Sequence, residues 1–313
     1  MFTNLWSKEE VLKYLENLKQ IGQNPLQEKR YWTACDAQKI RDTRLYLANQ
    51  IRRRKDPATA KWVIEKLKEH WSPEQIAGRS NIDGPQKISH EFVYQLIIAN
   101  RKRGGTLYRL LKRFGKRKQR LARRVYGAPI PNHAGIEERP PEPNNRVRLG
   151  DVEADLIAGY CSDGFILTTV DRKSRITILR KTKNKRKRNV RKQQQIAFKK
   201  LKTVHTCTED NGSEFADHQT LTKNTGVSVY FTHPYSSCER GTVENTNGLV
   251  RYFLPKNTKF AKLTQSELNK IQNLLNNCPR KCLNYLTPKE VHFNQVPRLK
   301  KQLLSPQSVA FDT

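Results

Sequence analysis

Three acidic residues stand where the sequence favours metal-dependent chemistry. Asp155 lies inside the apolar stretch 153–158, where a carboxylate is costly to bury unless it is paired or binds a cation. Asp210 follows a second predicted strand, and 33 residues separate it from Glu244, which lies in a helical pattern. Carboxylate oxygens are the ligands that hard ions such as Mg2+ prefer. Two such ions about 3.5–4 Å apart stabilise the attacking and leaving oxygens of a phosphodiester, so the acids predict phosphodiester chemistry.

The spacing of these acids does not by itself establish that they are catalytic. The chain has 29 Asp and Glu residues, so triples with any given spacing also arise by chance. Asp210-Asn211-Gly212 has the composition of an ordinary turn, and Glu239 is an alternative third acid.

The second half of the chain predicts an α/β fold that would position these acids. We expect strands at 153–158, 165–170, 176–179, 204–208 and 227–232, because each is a short apolar run bounded by turn residues. Helices are expected at 190–201, 214–224 and 239–254, and the capping box of Thr264 and Glu267 opens another. This order predicts a mixed sheet flanked by helices.

The first half is predicted to be all-helical. We expect helices near 7–21, 34–54, after Asp56-Pro57, at 73–79 and at 90–101, several of them opened by capping residues. The pair within 72–101 has the outline of a helix-turn-helix with a long turn, which would place its second helix in a DNA major groove; an ordinary helical hairpin is the alternative. The predicted organisation is a helical DNA-binding region (1–126), a proline-rich extended linker (127–146), a catalytic core (147–300) and a tail (301–313).

Charge indicates a polyanionic partner. Lys and Arg number 60 against 29 acids, which gives a net charge of +31, and neutralising phosphates releases condensed counterions. No apolar run approaches the roughly 18 residues of a membrane span, and the first residues lack the pattern of a signal peptide. We therefore expect a cytoplasmic, nucleoid-associated protein that binds double-stranded DNA and no membrane.

Two stretches are strongly basic: residues 101–124 and residues 180–202. Each contains twelve Lys or Arg residues and no Asp or Glu. The first is predicted to bind phosphates, with Arg101, Arg103, Arg109, Lys112 and Arg113 as candidate contacts. The second would grip target DNA or form a solvated surface.

The six cysteines predict free thiols rather than a metal site. Only Cys278 and Cys282 lie close in sequence, and their C-x3-C spacing matches no standard zinc pattern.

Several segments together resemble the transposases of the insertion-sequence-thirty family. The similarity covers about Tyr31 to Phe293. It is carried by residues 71–77, 136–140, 210–215, 233–237, 239–256 and 279–285, in the family's order.

That resemblance implies a ribonuclease-H-like, retroviral-integrase-type core with an Asp, Asp, Glu triad, here Asp155, Asp210 and Glu244 rather than Glu239. It implies two Mg2+ ions per active site, with Mn2+ as a possible substitute. It also implies binding to terminal inverted repeats, followed by strand cleavage and transfer without a covalent enzyme–DNA intermediate. Joining two ends implies at least a dimer on DNA. Further predicted DNA contacts, in or next to the third acid's segment, are Arg240, Asn247, Arg251 and Lys256.

The chain departs from the family pattern at four positions near the acids and at its start. Val152 and Ala154 stand where Trp and Gly are usual, Cys238 replaces a Trp, and Val243 replaces an Asn. Residues 1–30 do not show the additional helix-turn-helix with which members usually begin. Two alternatives follow: a catalytically inactive DNA-binding repressor derived from a transposase, and a ribonuclease-H-like nuclease that acts on hybrids.

Overall fold

The computed structural model describes Lys13, Gln38, residues 41–44 and 56–111, Ile130, and residues 133–234 and 236–295. The chain divides into two units, Met1–Ala60 and Lys61–Thr313. In the first unit, residues 41–44 and 57–60 are helical. The predicted helix at 7–21, most of the helix at 34–54, Lys112, Arg113 and the tail 301–313 lie outside the described residues.

Within the described residues 56–111, three α-helices precede the sheet. They are α1 (Pro57–Lys68), α2 (Pro73–Ser80) and α3 (His90–Lys102), and a 3-10 turn follows at Leu107–Leu110. The predicted capping box of α2 is confirmed, because Ser72 Oγ accepts from Gln75 N and Gln75 Oε1 accepts from Ser72 N. Apolar side chains of these helices share one core, formed by Val63, Leu67, Trp71, Ile76, Ile88, Val93, Ile97 and Cys278. The helix-turn-helix function of α2 and α3 stays a prediction.

A six-stranded mixed sheet forms the centre of the second unit. Its strands are β1 (Ala134–Gly135), β2 (Asp151–Ala158), β3 (Phe165–Asp171), β4 (Thr177–Thr182), β5 (Thr206–Glu209) and β6 (Ser228–Phe231). They lie in the order β1-β6-β5-β2-β3-β4. Neighbours from β1 to β2 are parallel, whereas β3 is antiparallel to both β2 and β4. This confirms the predicted mixed sheet.

Helices cover both faces of this sheet. They are α4 (Glu142–Asn145), α5 (Lys187–Leu201), α6 (His218–Thr225), α7 (Gly241–Phe253), α8 (Gln265–Asn276) and α9 (Pro288–His292). Side chains alternate between the faces of a strand, and this divides the core in two. Val152, Ala154 and Cys207 pack with residues of α5 and α6, whereas Ile157 and Ile166 pack with residues of α7 and α8.

The extended linker predicted at 127–146 is wrong for its described part, because residues 133–146 fold onto the sheet. Ala134 and Gly135 pair in parallel with β6, and α4 follows. Arg139 is buried, and its guanidinium donates to Thr208 Oγ1 at 2.7 Å and to Asn144 Oδ1. The prolines predicted an extended linker. In the structure, β6 supplies hydrogen-bond partners for the backbone of this segment, and the local sequence does not reveal that pairing.

Two predicted helices begin differently from expectation. The helix at 214–224 is a 3-10 turn, Ser213–Phe215, followed by α6. The helix at 239–254 is likewise a 3-10 turn, Ser237–Arg240, followed by α7, because Arg240 has a non-helical backbone with φ −122° and ψ 31°. This break directs the Arg240 side chain towards β2.

Across the described residues, no helix combines the length and apolar character that crossing a bilayer requires. The described cysteines, Cys161, Cys207, Cys238, Cys278 and Cys282, are all free thiols, as predicted. Cys35 lies outside the described part.

Candidate active site

Strand register brings Asp155 and Asp210 to the same level of the sheet. In the parallel pair β2–β5, Glu153 lies opposite Thr208, so Asp155, two residues further along, lies level with Asp210, the first residue after β5. Both acids are on the face that α7 covers. Their side chains are 21% and 28% exposed respectively, so solvent or a ligand reaches them from the edge of the sheet.

One guanidinium joins the two carboxylates. Arg240 places a terminal nitrogen 3.4 Å from Asp155 Oδ1 and the other 3.2 Å from Asp210 Oδ2. It also donates to the Ala154 carbonyl at 3.4 Å. Arg240 was predicted to contact DNA, but its side chain is 6% exposed and its described partners belong to the site itself. The structure therefore places Arg240 between the acids rather than on the surface.

Burial and the neighbouring charges shift the pKa values of Asp155 and Arg240. Burial raises the pKa of Asp155, and the nearby Asp210 carboxylate raises it further, while Arg240 acts in the opposite direction. Burial lowers the pKa of Arg240, but Asp155, Asp210 and Glu244 outweigh it and raise that pKa overall. Such mutual dependence of charges is typical of functional sites.

Glu209 lies behind Asp210, on the opposite face of β5. Its side chain is fully buried beside Cys207 and Gln194, and burial raises its pKa to about 8. Glu209 is therefore protonated at neutral pH and adds no negative charge next to Asp210.

Helix α7 brings Glu244 to the same side of the sheet. Asn247 Nδ2 donates to Asp155 Oδ2 at 2.6 Å, and Glu244 lies three residues earlier, on the same helix face. Glu244 is exposed and close enough to Arg240 to raise its pKa. Within the part of the chain described, however, no three His, Cys, Asp or Glu side chains already stand close enough together to hold a metal ion.

A buried acid that the sequence reasoning missed anchors the start of α7. Glu153 is fully buried, pairs with Arg172 at 2.9 Å, and accepts from the Val243 N–H at 2.7 Å. Arg172 in turn donates to the carbonyls of Pro143 and Glu239. Glu153 lies two residues before Asp155 on the same face of β2, and that alternation was the signal available in the sequence.

Two of the departures from the family pattern lie away from the acids. Val152 and Ala154 are fully buried in the core on the α5 face of the sheet, opposite the face that carries Asp155. Val243 is buried and contributes its backbone N–H to Glu153. Cys238 is exposed.

The other predicted DNA contacts lie at different places. Arg251 is half-buried: it donates to the Ala158 carbonyl at 2.6 Å and lies 5.5 Å over the Phe260 ring, and burial lowers its pKa. Lys256 is exposed in the loop after α7. Arg101, Arg103 and Arg109 are exposed at and after the end of α3, and Arg101 and Arg109 flank the Tyr108 ring at 5.1 and 5.8 Å. Within the described residues, Arg101, Arg103 and Arg109 form no bond to Asp155, Asp210 or Glu244.

Comparison with known proteins identifies the family of this chain. Residues 148–237, which include Asp155 and Asp210, match the integrase core domain family. The chain is 41% identical over 257 residues to the transposase for insertion sequence element IS4351 of Bacteroides fragilis, covering 82% of this chain and 76% of that protein. It is 36% identical over 288 residues to the transposase InsI for element IS30A of Escherichia coli, covering 84% and 72%.

The chain belongs to the IS30 family of DDE transposases. It is an enzyme of DNA transposition and integration, with a ribonuclease-H-like catalytic core. Among solved structures, the catalytic core domain of BIV integrase is similar with a TM-score of 0.38 and 19% identity, over 46% of this chain and 93% of that one.

The donor set of the transposase suits a divalent cation. Carboxylate and amide oxygens are hard ligands, and Asp155, Asp210, Glu244 and Asn247 supply them on one side of the sheet. Asn247 Oδ1 is buried and has no hydrogen-bond partner among the described residues, although the amide nitrogen of Asn247 is bonded to Asp155. A buried unsatisfied oxygen is costly, and a bound cation or its water would satisfy it.

Proposed function

We propose that Asp155, Asp210 and Glu244 are the catalytic acids of this transposase and that they hold two Mg2+ ions, for which Mn2+ can substitute. Integrase-like cores depend on divalent metal ions, and the number of two comes from the chemistry of in-line phosphodiester transfer. Asp155 would be shared, while Asp210 and Glu244 would each complete one site. The observation that carries the proposal is the pairing of Asp155 and Asp210 with a single guanidinium, with Glu244 on the adjoining helix face.

When bound, the ions would activate a water or DNA hydroxyl and stabilise the charge that develops on the phosphate oxygens. Within the protein, Arg240 lowers the repulsion between the Asp155 and Asp210 carboxylates in a partly buried site. Asn247 fixes the orientation of the Asp155 carboxylate through one hydrogen bond. Glu153 and Arg172 hold the first turn of α7, and with it Glu244, against β2.

DNA recognition is proposed to be divided between the two parts of the enzyme. The helices α2 and α3 would read the terminal inverted repeats, and Arg101, Arg103 and Arg109 would contact their phosphates. Arg251 and Lys256 would contact the strand at the active site. Because two ends must be joined, we propose at least a dimer on DNA, in the cytoplasm and associated with the nucleoid.

Replacing one acid tests the catalytic assignment. Asp155→Asn should reduce Mg2+-dependent cleavage of a duplex that contains the DNA flanking this gene by more than about a hundredfold, because a metal ligand is lost. Affinity for the same duplex, measured without metal, should stay within about twofold, since phosphate contacts lie elsewhere. Glu137→Gln, at a 62% exposed acid outside the helices proposed to bind DNA, is the control and should cleave normally.

The alternative of an inactive repressor makes a different prediction for the same experiment. A repressor would bind the flanking duplex but show no cleavage before or after the substitution. Equal, metal-dependent cleavage by the native protein and by Asp155→Asn would instead remove Asp155 from the active site.

A further inference from the structure

The segment after β4 emerges at the edge of the sheet that carries the acids. Strand β4 is antiparallel to β3, which is antiparallel to β2, so β2 and β4 point the same way. The register places Ala158, Phe165 and Thr182 in one row across these strands. At a spacing of about 4.8 Å per strand, the end of β4 lies roughly 10 Å from the end of β2. Asp155 and Asp210 lie three residues before this row, about 10 Å along the strands.

This edge is covered by unpaired cations. Lys183, Lys185, Arg186, Lys187 and Arg188 are all exposed, and we call them the basic edge. None of them forms an ion pair with an acidic residue in the described part of the chain.

The basic edge also meets the start of α5, where positive charge is unfavourable. The first turn of α5 contains no acidic residue, and Arg186 at its N-cap makes no side-chain capping bond. A helix N-terminus carries a partial positive charge, so Lys187 and Arg188 raise the energy of this turn unless an anion lies nearby. These two cations therefore destabilise the start of α5 in the free protein, and a bound phosphate would remove that repulsion.

A second loop extends the same surface. The Lys181 ammonium bonds to the Ala261 and Leu263 carbonyls, which ties the end of β4 to the loop before α8. That loop carries the exposed Lys259 and Lys262. The acids nearby already have partners: Asp163 accepts from the backbone of Phe260 and Ala261, and Glu267 caps α8 at Thr264. Positive charge therefore dominates on both sides of the β4 end.

We propose that the basic edge binds the phosphate backbone of the target duplex, the DNA into which the cleaved strand is joined, without reading its sequence. This inference rests on the function proposed above. Long, flexible cations on a loop and a first helical turn can reach phosphates, and contacts to phosphates carry no sequence information of their own. The basic edge lies at the same end of the sheet as the acids, although α5 packs on the opposite face. This position favours DNA over an anionic membrane, since the transferred strand and the target phosphate must meet at that end.

Neutralising the edge tests the proposal. The triple variant Lys183→Gln, Lys185→Gln, Lys187→Gln should reduce strand transfer into a target plasmid by about tenfold or more, while cleavage of the flanking-DNA duplex stays within about twofold. For a duplex of unrelated sequence, the slope of log affinity against log salt should fall by about 2 to 3, at roughly 0.9 for each phosphate that the variant no longer neutralises. Because these side chains are exposed, the variant should fold normally.

The same helix provides a matched control. Lys199→Gln, Lys200→Gln, Lys202→Gln removes the same charge from exposed positions at the far end of α5, on the opposite edge of the sheet, and should leave strand transfer unchanged. The proposal is overturned by equal effects of the two triple variants, or by an equal loss of cleavage and transfer in the edge variant. It is also overturned if vesicles rich in anionic lipid bind the native protein, but not the edge variant, more tightly than duplex DNA does.

Failure of the proposed function would look different. If Asp155→Asn cleaves as well as the native protein, the catalytic assignment fails. The comparison of salt slopes between the two triple variants would still report on the basic edge.

Discussion

A single buried carboxylate connects the sheet to the helix that carries the third acid. Glu153 accepts from the first turn of α7 and pairs with Arg172, and Arg172 reaches two further backbone carbonyls. The orientation of Glu244 relative to Asp155 therefore depends on a residue that does not itself face the substrate. A buried ion pair is weak evidence for stability, but breaking one leaves the partner's charge unpaired.

Replacing this residue should affect both stability and catalysis. Glu153→Gln should lower the free energy of unfolding by about 3 kcal/mol, because Arg172 stays buried without a counter-charge. Cleavage should fall by about tenfold or more at temperatures where the variant is folded, since α7 loses its anchor. Urea denaturation and single-turnover cleavage measure the two effects.

An exposed acid is the control for Glu153. Glu137→Gln changes a side chain that is 62% exposed and should alter neither quantity. Normal cleavage by folded Glu153→Gln would show that the anchor does not position Glu244.

At the scale of elements, local patterns predicted the strands and helices that carry the acids. Strands β2, β3 and β6 contain short runs of β-favouring residues, and capping residues such as Ser72 and Thr264 mark helix starts whose bonds are formed in the structure. Asp155 and Asp210 could be predicted because they interrupt or end such runs. Arg240 could not be placed, because its position depends on a helix break and on strand register. The fold of 133–146 was missed for a similar reason: β1 pairs with β6, far away in sequence.

Helix α2 packs closely against the turn before α9 at Gly78. A Cβ added at Gly78 would lie 2.3 Å from the Tyr285 ring. Gly78→Ala should therefore lower the free energy of unfolding by about 1–3 kcal/mol, because the ring has to move. Thermal or urea unfolding measures the change.

At another helical glycine, substitution by alanine is expected to raise the free energy of unfolding. In the described part of the chain, nothing lies within 4 Å of a Cβ added at Gly248 in α7, so Gly248→Ala should stabilise the protein by up to about 1 kcal/mol through helix propensity. A stabilising Gly78→Ala would contradict the docking of α2 against Tyr285.

The same docking predicts a dependence on pH. Arg79 forms two hydrogen bonds to Glu290, at 2.7 and 2.8 Å. Burial raises the pKa of Glu290, but these bonds outweigh it and lower that pKa below its usual 4.5. A lowered folded-state pKa contributes stability above the unfolded pKa, and this contribution is lost as pH falls through the folded value. The native protein should therefore lose stability below about pH 4.5 more steeply than Glu290→Gln does. Unfolding free energies from pH 7 to pH 3 test this, and parallel curves for the two proteins would contradict it.

At the scale of the whole molecule, the net charge of +31 produces electrostatic repulsion among the basic side chains of the free enzyme. Charges of one sign destabilise a compact state, and salt screens them within a Debye length of about 10 Å at 0.1 M. A bound duplex would neutralise much of the same charge. Stability and DNA binding should therefore respond to salt in opposite directions.

This opposition can be measured in one set of thermal unfolding curves. Without DNA, raising the concentration of sodium chloride from low to physiological ionic strength should raise the unfolding midpoint, because repulsion is screened. A duplex of unrelated sequence should raise the midpoint further at low salt, since it binds the folded state, and this increment should shrink as salt increases, because counterion release weakens. A neutral polymer such as dextran, at equal mass concentration, controls for crowding and should produce a small, salt-independent change. A midpoint that falls with salt in the absence of DNA, or a duplex increment that does not depend on salt, would show that the excess charge is balanced within the protein and is not held for a polyanion.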